Sequence, residues 1–248
     1  ILGKRQACVS SSDTAPETLT EMAARAVAMA REAPEDPSVG LADPSQLAKD
    51  WDISSIDLMD PADEPAPAEL DALAREAETA ALSHEGISRV DIAAAAYGRQ
   101  RVHLATSTGF SGGSTRTSSS ISAVAITGDG TDMERDYCGE SRVYRADLPT
   151  AQSVGTLAAE RTLARAGARR PKTGTSPVLF DERISSSLIG HLLGAINGSA
   201  IARGASFLRD SMGKPVLAPG LTLTENPRRP RVGSSRVFDA EGLPTAQR

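Results

Sequence analysis

Apolar residues recur at spacings of three and four along three stretches of the chain, a period typical of amphipathic helices. The first stretch covers 14–33 and places Leu19 and Met22 on one face. The second, 68–83, consists almost entirely of strong helix formers. The third covers 151–166 and is followed by a glycine, which commonly ends helices. We therefore predict three helices in these stretches.

A fourth apolar stretch, 181–203, is predicted to be one helix although three glycines interrupt it. Gly190, Gly194 and Gly198 recur every four residues along it. Each glycine lowers the stability of a helix by about 1 kcal/mol, so we expect a closely packed face to compensate. Serine, asparagine and histidine break up the apolar run, which argues against a membrane-spanning helix dimer.

Strand patterns lie mainly between the second and third helices. Gly98 is predicted to turn the chain between the first two strands, and the Gly- and Ser-rich stretch 107–117 is predicted to be a flexible hairpin connection. A meander of this kind needs helices over one face, so the pattern predicts an α+β fold with helices packed on a mixed or antiparallel sheet. The predicted strands cover 89–97, 101–106, 118–127, 133–144, 176–180 and 221–224.

The domain organisation is predicted from shifts in composition. Residues 34–67 are rich in proline, aspartate and glutamate, and we interpret them as an acidic surface connection within an N-terminal α+β domain, 1–170. Trp51, the only tryptophan, is expected to anchor this connection onto a core. The second domain, 171–248, begins with the glycine-rich helix and continues as strands and loops.

Charge and cysteine content exclude several classes of protein. The formal net charge is −5 at pH 7, whereas nucleic-acid-binding domains are usually basic. No apolar run reaches the roughly 18 residues of a membrane span. The two cysteines, Cys8 and Cys138, are too far apart in sequence for a zinc motif or a disulfide framework. We therefore expect a cytoplasmic protein that contacts neither nucleic acid nor membrane.

Candidate catalytic chemistry is weak along the whole sequence. His84 is followed by a glutamate, but the second histidine that a zinc-binding helix needs one turn later is absent. His103 and His191 stand apart from other metal-ligand residues. The sequence contains no phosphate-loop spacing and no serine nucleophile elbow. Residues far apart in sequence could still converge in three dimensions.

Several segments, in this order and spacing, resemble the PmbA/TldE branch of the TldD/PmbA family, also called modulators of DNA gyrase. The resemblance covers almost the whole chain. Its most characteristic segments are AVAMAREAPEDP at 26–37, TSTGF at 106–110, MERD at 133–136, GSAIARGASFL at 198–208 and FDAEG at 238–242.

The resemblance implies a role in proteolysis without a metal site in this chain. TldD and TldE form a cytoplasmic heteromeric protease that acts on unfolded peptides and on a peptide-precursor leader, and TldD holds its metal through an HExxxH motif. The corresponding helix here reads LIGHLLG at 188–194, with His191 but no adjacent glutamate and no second histidine. The implied protein is a non-catalytic subunit, with no catalytic residue and no cofactor of its own, whose TldD-like partner carries the metal.

Two departures from the family pattern leave alternatives open. The chain has ENP at 225–227 where the family usually has Asp-Asp-Pro. Family members also continue well beyond the FDAEG segment, so the resemblance implies that the C-terminal region of the family is lacking here. The alternatives are a metallopeptidase in its own right and a stand-alone homodimeric binding or assembly protein.

Candidate contact residues are the polar side chains of the best-matched segments. They are expected to contact an extended peptide or the TldD-like partner, and a peptide strand added to a sheet edge suits unfolded substrates. The alternative is that they only tie loops together. These candidates are Arg203, Ser206, Arg209, Asp239 and Glu241.

Overall fold

A computed structural model describes residues 1–248. The chain divides into two compact units, each built from two separate segments. Unit 1 comprises Ile1–Leu41 and Lys172–Leu223, and unit 2 comprises Ala42–Pro171 and Thr224–Arg248. The predicted division into domains 1–170 and 171–248 stays a prediction.

Five α-helices and three β-strands make up the regular structure. The helices are α1 (Pro16–Glu32), α2 (Pro67–Leu82), α3 (Ala151–Leu163), α4 (Glu182–Ala195) and α5 (Gly198–Ala202). The strands are β1 (Ile87–Ala105), β2 (Ser111–Thr127) and β3 (Glu134–Arg142). None of these helices combines the length and apolar character that crossing a bilayer requires.

Unit 2 is an antiparallel sheet in the order β1-β2-β3, with α2 and α3 packed on one face. Alternate residues of β2, including Ile121, Ala123 and Ala125, are buried in this core. The predicted α+β class with helices on an antiparallel sheet is therefore confirmed. Because the core side chains are mostly small, the two helices also approach each other closely. A Cβ atom added at Gly155 of α3 would overlap the carbonyl oxygen of Ala77 in α2.

The predicted turn at Gly98 is wrong. Gly98 lies inside β1, where it pairs with Ser118 of β2. The chain reverses instead between Thr106 and Phe110, where Gly109 has φ of +104° and the Thr106 amide donates to the Phe110 carbonyl. Only Gly109 supplies the positive φ that the tight turn needs. Most of the stretch predicted as a flexible connection is therefore strand.

Unit 1 contains α1, α4 and α5. Three predictions for this part of the sequence are wrong. The helix predicted over 181–203 is interrupted at Asn197, whose side chain caps α5 by accepting from the Ser199 and Ala200 amides. The glycines of α4 do not form a closely packed face, since an added Cβ at Gly190 or Gly194 would have no neighbour within 4 Å. The stretches 176–180 and 221–224 are not strands, because they have no ladder partner.

Candidate functional site

The β1–β2 hairpin is longer than the rest of the sheet. β3 ends opposite Ser119, so the paired residues 98–105 and 111–118 project beyond it. We call this part the hairpin extension. Two segments cover it. One lies around Trp51, which precedes the hairpin in the sequence, and the other contains the FDAEG residues 238–242, which follow it.

Three aromatic rings hold these segments together. Trp51 and Phe238 lie 4.9 Å apart between ring centroids, and Phe110 and Phe238 lie 4.8 Å apart, both in edge-to-face geometry. Two glycines make room for the rings. A Cβ at Gly112 would lie 2.7 Å from Trp51 and Phe110 atoms, and one at Gly242 would lie 2.5 Å from the Phe110 ring.

A cleft of about 220 Å³ lies between the hairpin extension and residues 235–240. Val102, His103 and Leu104 of β1 line it, together with Ser114 and Gly112, the cross-strand partners of Val102 and Leu104. Phe238 and Asp239 line the opposite side. The cleft is therefore mainly apolar on its β1 side, and β1 is an edge strand of the sheet.

Asp239 shapes the loop beside this cleft. Its carboxylate accepts hydrogen bonds from the amides of Glu241 and Leu243, both at 2.9 Å. The Asp239 amide in turn donates to the Leu243 carbonyl. These bonds close a tight turn, so the aspartate of the FDAEG segment holds a loop in shape, while the Glu241 side chain remains exposed.

A second, wider cleft of about 580 Å³ includes the other face of the hairpin extension. Arg101 and His103 of β1 line it, together with Asp57. The His103 Nε2 atom lies 3.1 Å from the Ser111 hydroxyl. From the sequence, His103 was interpreted only as an isolated histidine, and neither Arg101 nor Asp57 was a candidate, although two basic residues on one face of an alternating strand are a visible signal.

Asp57 is engaged by two partners. The Tyr144 hydroxyl donates to one carboxylate oxygen at 2.5 Å and Arg231 Nε donates to the other at 2.8 Å. These bonds lower the pKa of Asp57, with the Tyr144 hydroxyl as the larger cause. The same contact raises the pKa of Tyr144 and, through Asp57, that of Arg231. The guanidinium also lies 3.7 Å above the Tyr144 ring centroid.

The five predicted contact residues fall into both units. In unit 1, Ser206 is buried, donates to the Ala195 carbonyl at 2.5 Å and accepts from the Leu208 amide. Arg203 is exposed, and Arg209 Nε lies 3.2 Å from Asp210.

In unit 2, Asp239 and Glu241 share one turn. The Ser206 and Asp239 side chains therefore tie loops together. A role of any of the five in contacting peptide or partner stays a prediction.

The histidines do not form a metal centre. His84 Nδ1 lies 3.0 Å from the Ala80 carbonyl oxygen, and His191 is exposed on α4 without a second imidazole or a carboxylate beside it in the helix. Within residues 1–248, no three histidine, cysteine, aspartate or glutamate side chains come together as metal ligands. The donor set around His191 does not fit a zinc-type ion.

Two family models match the chain. The PmbA/TldA metallopeptidase central domain matches residues 60–166, and the C-terminal domain of the same family matches residues 173–248. Together these two matches cover more than half of the sequence.

Similar proteins include two from bacteria. The metalloprotease PmbA of Escherichia coli O157:H7 is 36% identical over 247 residues, covering 98% of this chain and 54% of that protein. A metalloprotease PmbA homologue of Haemophilus influenzae is 26% identical over 262 residues, covering 100% of this chain and 54% of that protein. The chain therefore spans about half the length of these relatives.

Solved structures share the fold. A crystal structure named as a modulator of DNA gyrase, from Bacteroides thetaiotaomicron, matches with a TM-score of 0.84 and 27% identity, over 99% of this chain and 56% of that one. TldE from Thermococcus kodakarensis matches with a TM-score of 0.70 and 18% identity, over 99% and 55%. At 18% identity the likeness is one of fold.

Proposed function

Because the chain belongs to the PmbA/TldD metallopeptidase family, we propose that it is a non-catalytic, PmbA/TldE-like subunit of a TldD-type metalloprotease. Its role is to hold unfolded peptides or peptide-precursor leaders for the catalytic partner. In this proposal the complex is cytoplasmic and contacts neither nucleic acid nor membrane.

The open edge of β1 carries the proposal. β1 is 19 residues long and pairs with β2 on one side only. An extended peptide can add to such an edge through its main chain, which requires no particular peptide sequence. The cleft beside Val102 and Leu104 offers space for peptide side chains along the same strand.

The helix around His191 supports the assignment of catalysis to a partner. A zinc-dependent peptidase needs several ligands and a general base near the metal-bound water. In 188–194 only His191 is a candidate ligand. Its neighbours in the helix, Gly190 and Leu192, have no side chain that could bind a metal or act as a general base. The metal is therefore expected in the TldD-like subunit, with no cofactor in this chain.

The side chains of the predicted contact residues differ in exposure and in the hydrogen bonds that they already form. Arg203 and Glu241 are exposed, and Arg209 is exposed beside Asp210. The Ser206 hydroxyl and the Asp239 carboxylate are already engaged within the chain. We therefore assign contact with peptide or partner to the three exposed residues, and support of their loops to Ser206 and Asp239.

Peptidase assays with metal analysis test the proposal. The full-length protein is incubated with an unstructured peptide alone, and again with a TldD-like subunit, and the metal content of each protein is determined. We expect cleavage only in the mixture, with the metal in the partner. Cleavage by this protein alone with stoichiometric metal would show a metallopeptidase in its own right. Failure to associate with the partner would favour a stand-alone binding protein.

A further inference from the structure

The direction of the free backbone groups on β1 follows from one hydrogen bond. The Thr117 amide of β2 donates to the Leu58 carbonyl at 3.0 Å, away from β1. In an antiparallel pair, facing residues either exchange both hydrogen bonds or none. Arg99, which faces Thr117, therefore directs its own amide and carbonyl outward, away from β2.

The same orientation repeats along the hairpin extension. The register between β1 and β2 has no shift between Ile92 and Ala105, so every second residue after Arg99 also directs its backbone groups outward. These residues are Arg101, His103 and Ala105. No other backbone group of residues 1–248 pairs with their outward amides and carbonyls. The edge thus offers a continuous row of donors and acceptors.

Side chains alternate along this row between two chemically different faces. Val102 and Leu104 lie on the face of the 220 Å³ cleft, and Val102 is 48% exposed. Arg99, Arg101 and His103 alternate with them and are all exposed. Neither Arg99 nor Arg101 forms an ion pair within the chain, so their charges are available to a partner.

A strand added to this edge must satisfy both faces. Its residues opposite Val102 and Leu104 lie at the apolar cleft, and its residues opposite Arg99, Arg101 and His103 lie beside positive charge or a histidine ring. Directly opposed residues on neighbouring strands interact, and opposite charges there are favourable. We propose that the β1 edge from Arg99 to Ala105 selects extended peptides in which acidic and apolar residues alternate.

This selectivity rests on the proposed peptide-holding role, and it assigns a substrate pattern to that role. Main-chain pairing supplies binding and the two faces supply preference. In the bound peptide, the acidic residues face Arg101 and His103 in hydrogen-bonded pairs. Their own amides and carbonyls therefore bond to β1.

Peptide binding to the full-length protein tests the inference directly. Fluorescence anisotropy is measured with four labelled short peptides of equal length. One alternates glutamate and leucine, one alternates lysine and leucine, one alternates glutamate and serine, and the fourth is the first with N-methyl groups at its glutamates. We expect the lysine peptide to bind roughly tenfold more weakly, and the serine peptide roughly fivefold more weakly, at low salt. The methylated peptide should lose measurable binding.

A charge reversal on β1 identifies the binding edge. Arg101→Glu should reverse the preference between the glutamate and lysine peptides. Arg89→Glu is the matched control, because Arg89 is also an exposed arginine on β1 but lies at its other end, and it should leave the preference unchanged. If Arg101→Glu impairs folding, as judged by circular dichroism, Arg101→Gln replaces it and should abolish the preference.

Equal binding of the glutamate and lysine peptides, or full binding of the methylated peptide, would overturn the inference. The outcome is separable from that of the peptidase assay. Cleavage in the mixture without peptide preference would leave the subunit role intact and remove only the selectivity. Preference for the glutamate peptide without cleavage in the mixture would support the β1 binding site and contradict the subunit role.

Discussion

Asp57 and Arg231 are the two residues other than glycine with left-handed backbones, and their side chains form an ion pair at 2.8 Å. The Arg231 amide also donates to the Ile56 carbonyl at 2.9 Å. Residues with a Cβ rarely adopt this conformation unless surrounding contacts impose it. The pair therefore fixes the segment after Thr224 to the segment before α2, and so closes unit 2.

Removal of the Tyr144 hydroxyl should raise the pKa of Asp57. The folded-state pKa of Asp57 lies below its ordinary value of 3.8, chiefly through the bond from Tyr144. A carboxyl group with a lowered pKa stabilises the fold above its unfolded-state pKa, and this contribution disappears as the pH falls through the folded-state pKa. In Tyr144→Phe, carboxyl NMR titration should show the pKa of Asp57 moving back toward 3.8. An unchanged titration would contradict the proposed role of the hydroxyl.

Gly155→Ala should destabilise the packing of α2 against α3. An added methyl group overlaps the Ala77 carbonyl oxygen and lies 2.9 Å from the Ala80 Cβ, so the helices must separate. We expect the free energy of unfolding to fall by about 1–3 kcal/mol, measured by urea denaturation. The matched control is Gly190→Ala in α4, where nothing lies within 4 Å. This change should be neutral or stabilising by up to about 1 kcal/mol. Equal effects of the two substitutions would refute the close helix contact.

Gly242→Ala should displace Phe110 and alter the fluorescence of Trp51. Gly242 has φ of +85°, and an added Cβ would lie 2.5 Å from the Phe110 ring, which is 6.4 Å from Trp51 between centroids. Since Trp51 is the only tryptophan, its emission reports on this cluster, and we expect a shift to longer wavelength. Gly213→Ala has a similar backbone cost at φ of +76° but no neighbour within 4 Å. It should leave the emission unchanged.

Asp60→Asn should destabilise unit 2 at neutral pH. The buried carboxylate accepts from the Ala62 amide at 3.0 Å and the Arg145 amide at 2.8 Å, and these bonds lower its pKa. An asparagine must direct its NH₂ group toward one of the two donors, with a cost of about 1–3 kcal/mol.

The effect of Asp60→Asn should shrink as the pH falls below 3.8, the ordinary pKa of aspartate, because the unfolded-state carboxyl is then protonated first. The effect should be smallest below the lower folded-state pKa, where the wild-type carboxyl is protonated in both states. Urea unfolding at neutral and acidic pH measures this difference. Asp63→Asn, an exposed neighbour, is the control. A loss of stability that is the same at both pH values would exclude the carboxylate as its cause.

The helices of unit 2 could be predicted because small and apolar residues recur along one face of each, although the buried face of α3 also includes Thr162. Glycine was harder to interpret, since its role depends on the neighbouring element. The regular spacing of Gly190 and Gly194 suggested a packed face, but their surroundings are open. The glycine in close helix contact is Gly155, which has no such pattern around it and which faces Ala77 from a different helix.

The candidate site could be predicted only in part. The FDAEG segment was identifiable, and Asp239 does shape the loop beside the cleft. The cluster of Trp51, Phe110 and Phe238 was not predicted, because its members come from three segments far apart in sequence. Likewise, no local pattern reveals which residues of β1 direct their backbone outward. That property depends on the bond between Thr117 and Leu58.

The division of each unit between two chain segments affects how the protein folds during synthesis. Residues 1–41 emerge from the ribosome long before 172–223, the other segment of unit 1, and residues 42–171 emerge before 224–248, the other segment of unit 2. Contacts between such distant residues slow folding, and domains generally fold as units as they are synthesised. The two segments of each unit can therefore pack together only after the second of them has been translated. The apolar faces of the early segments would meanwhile be open to chaperones.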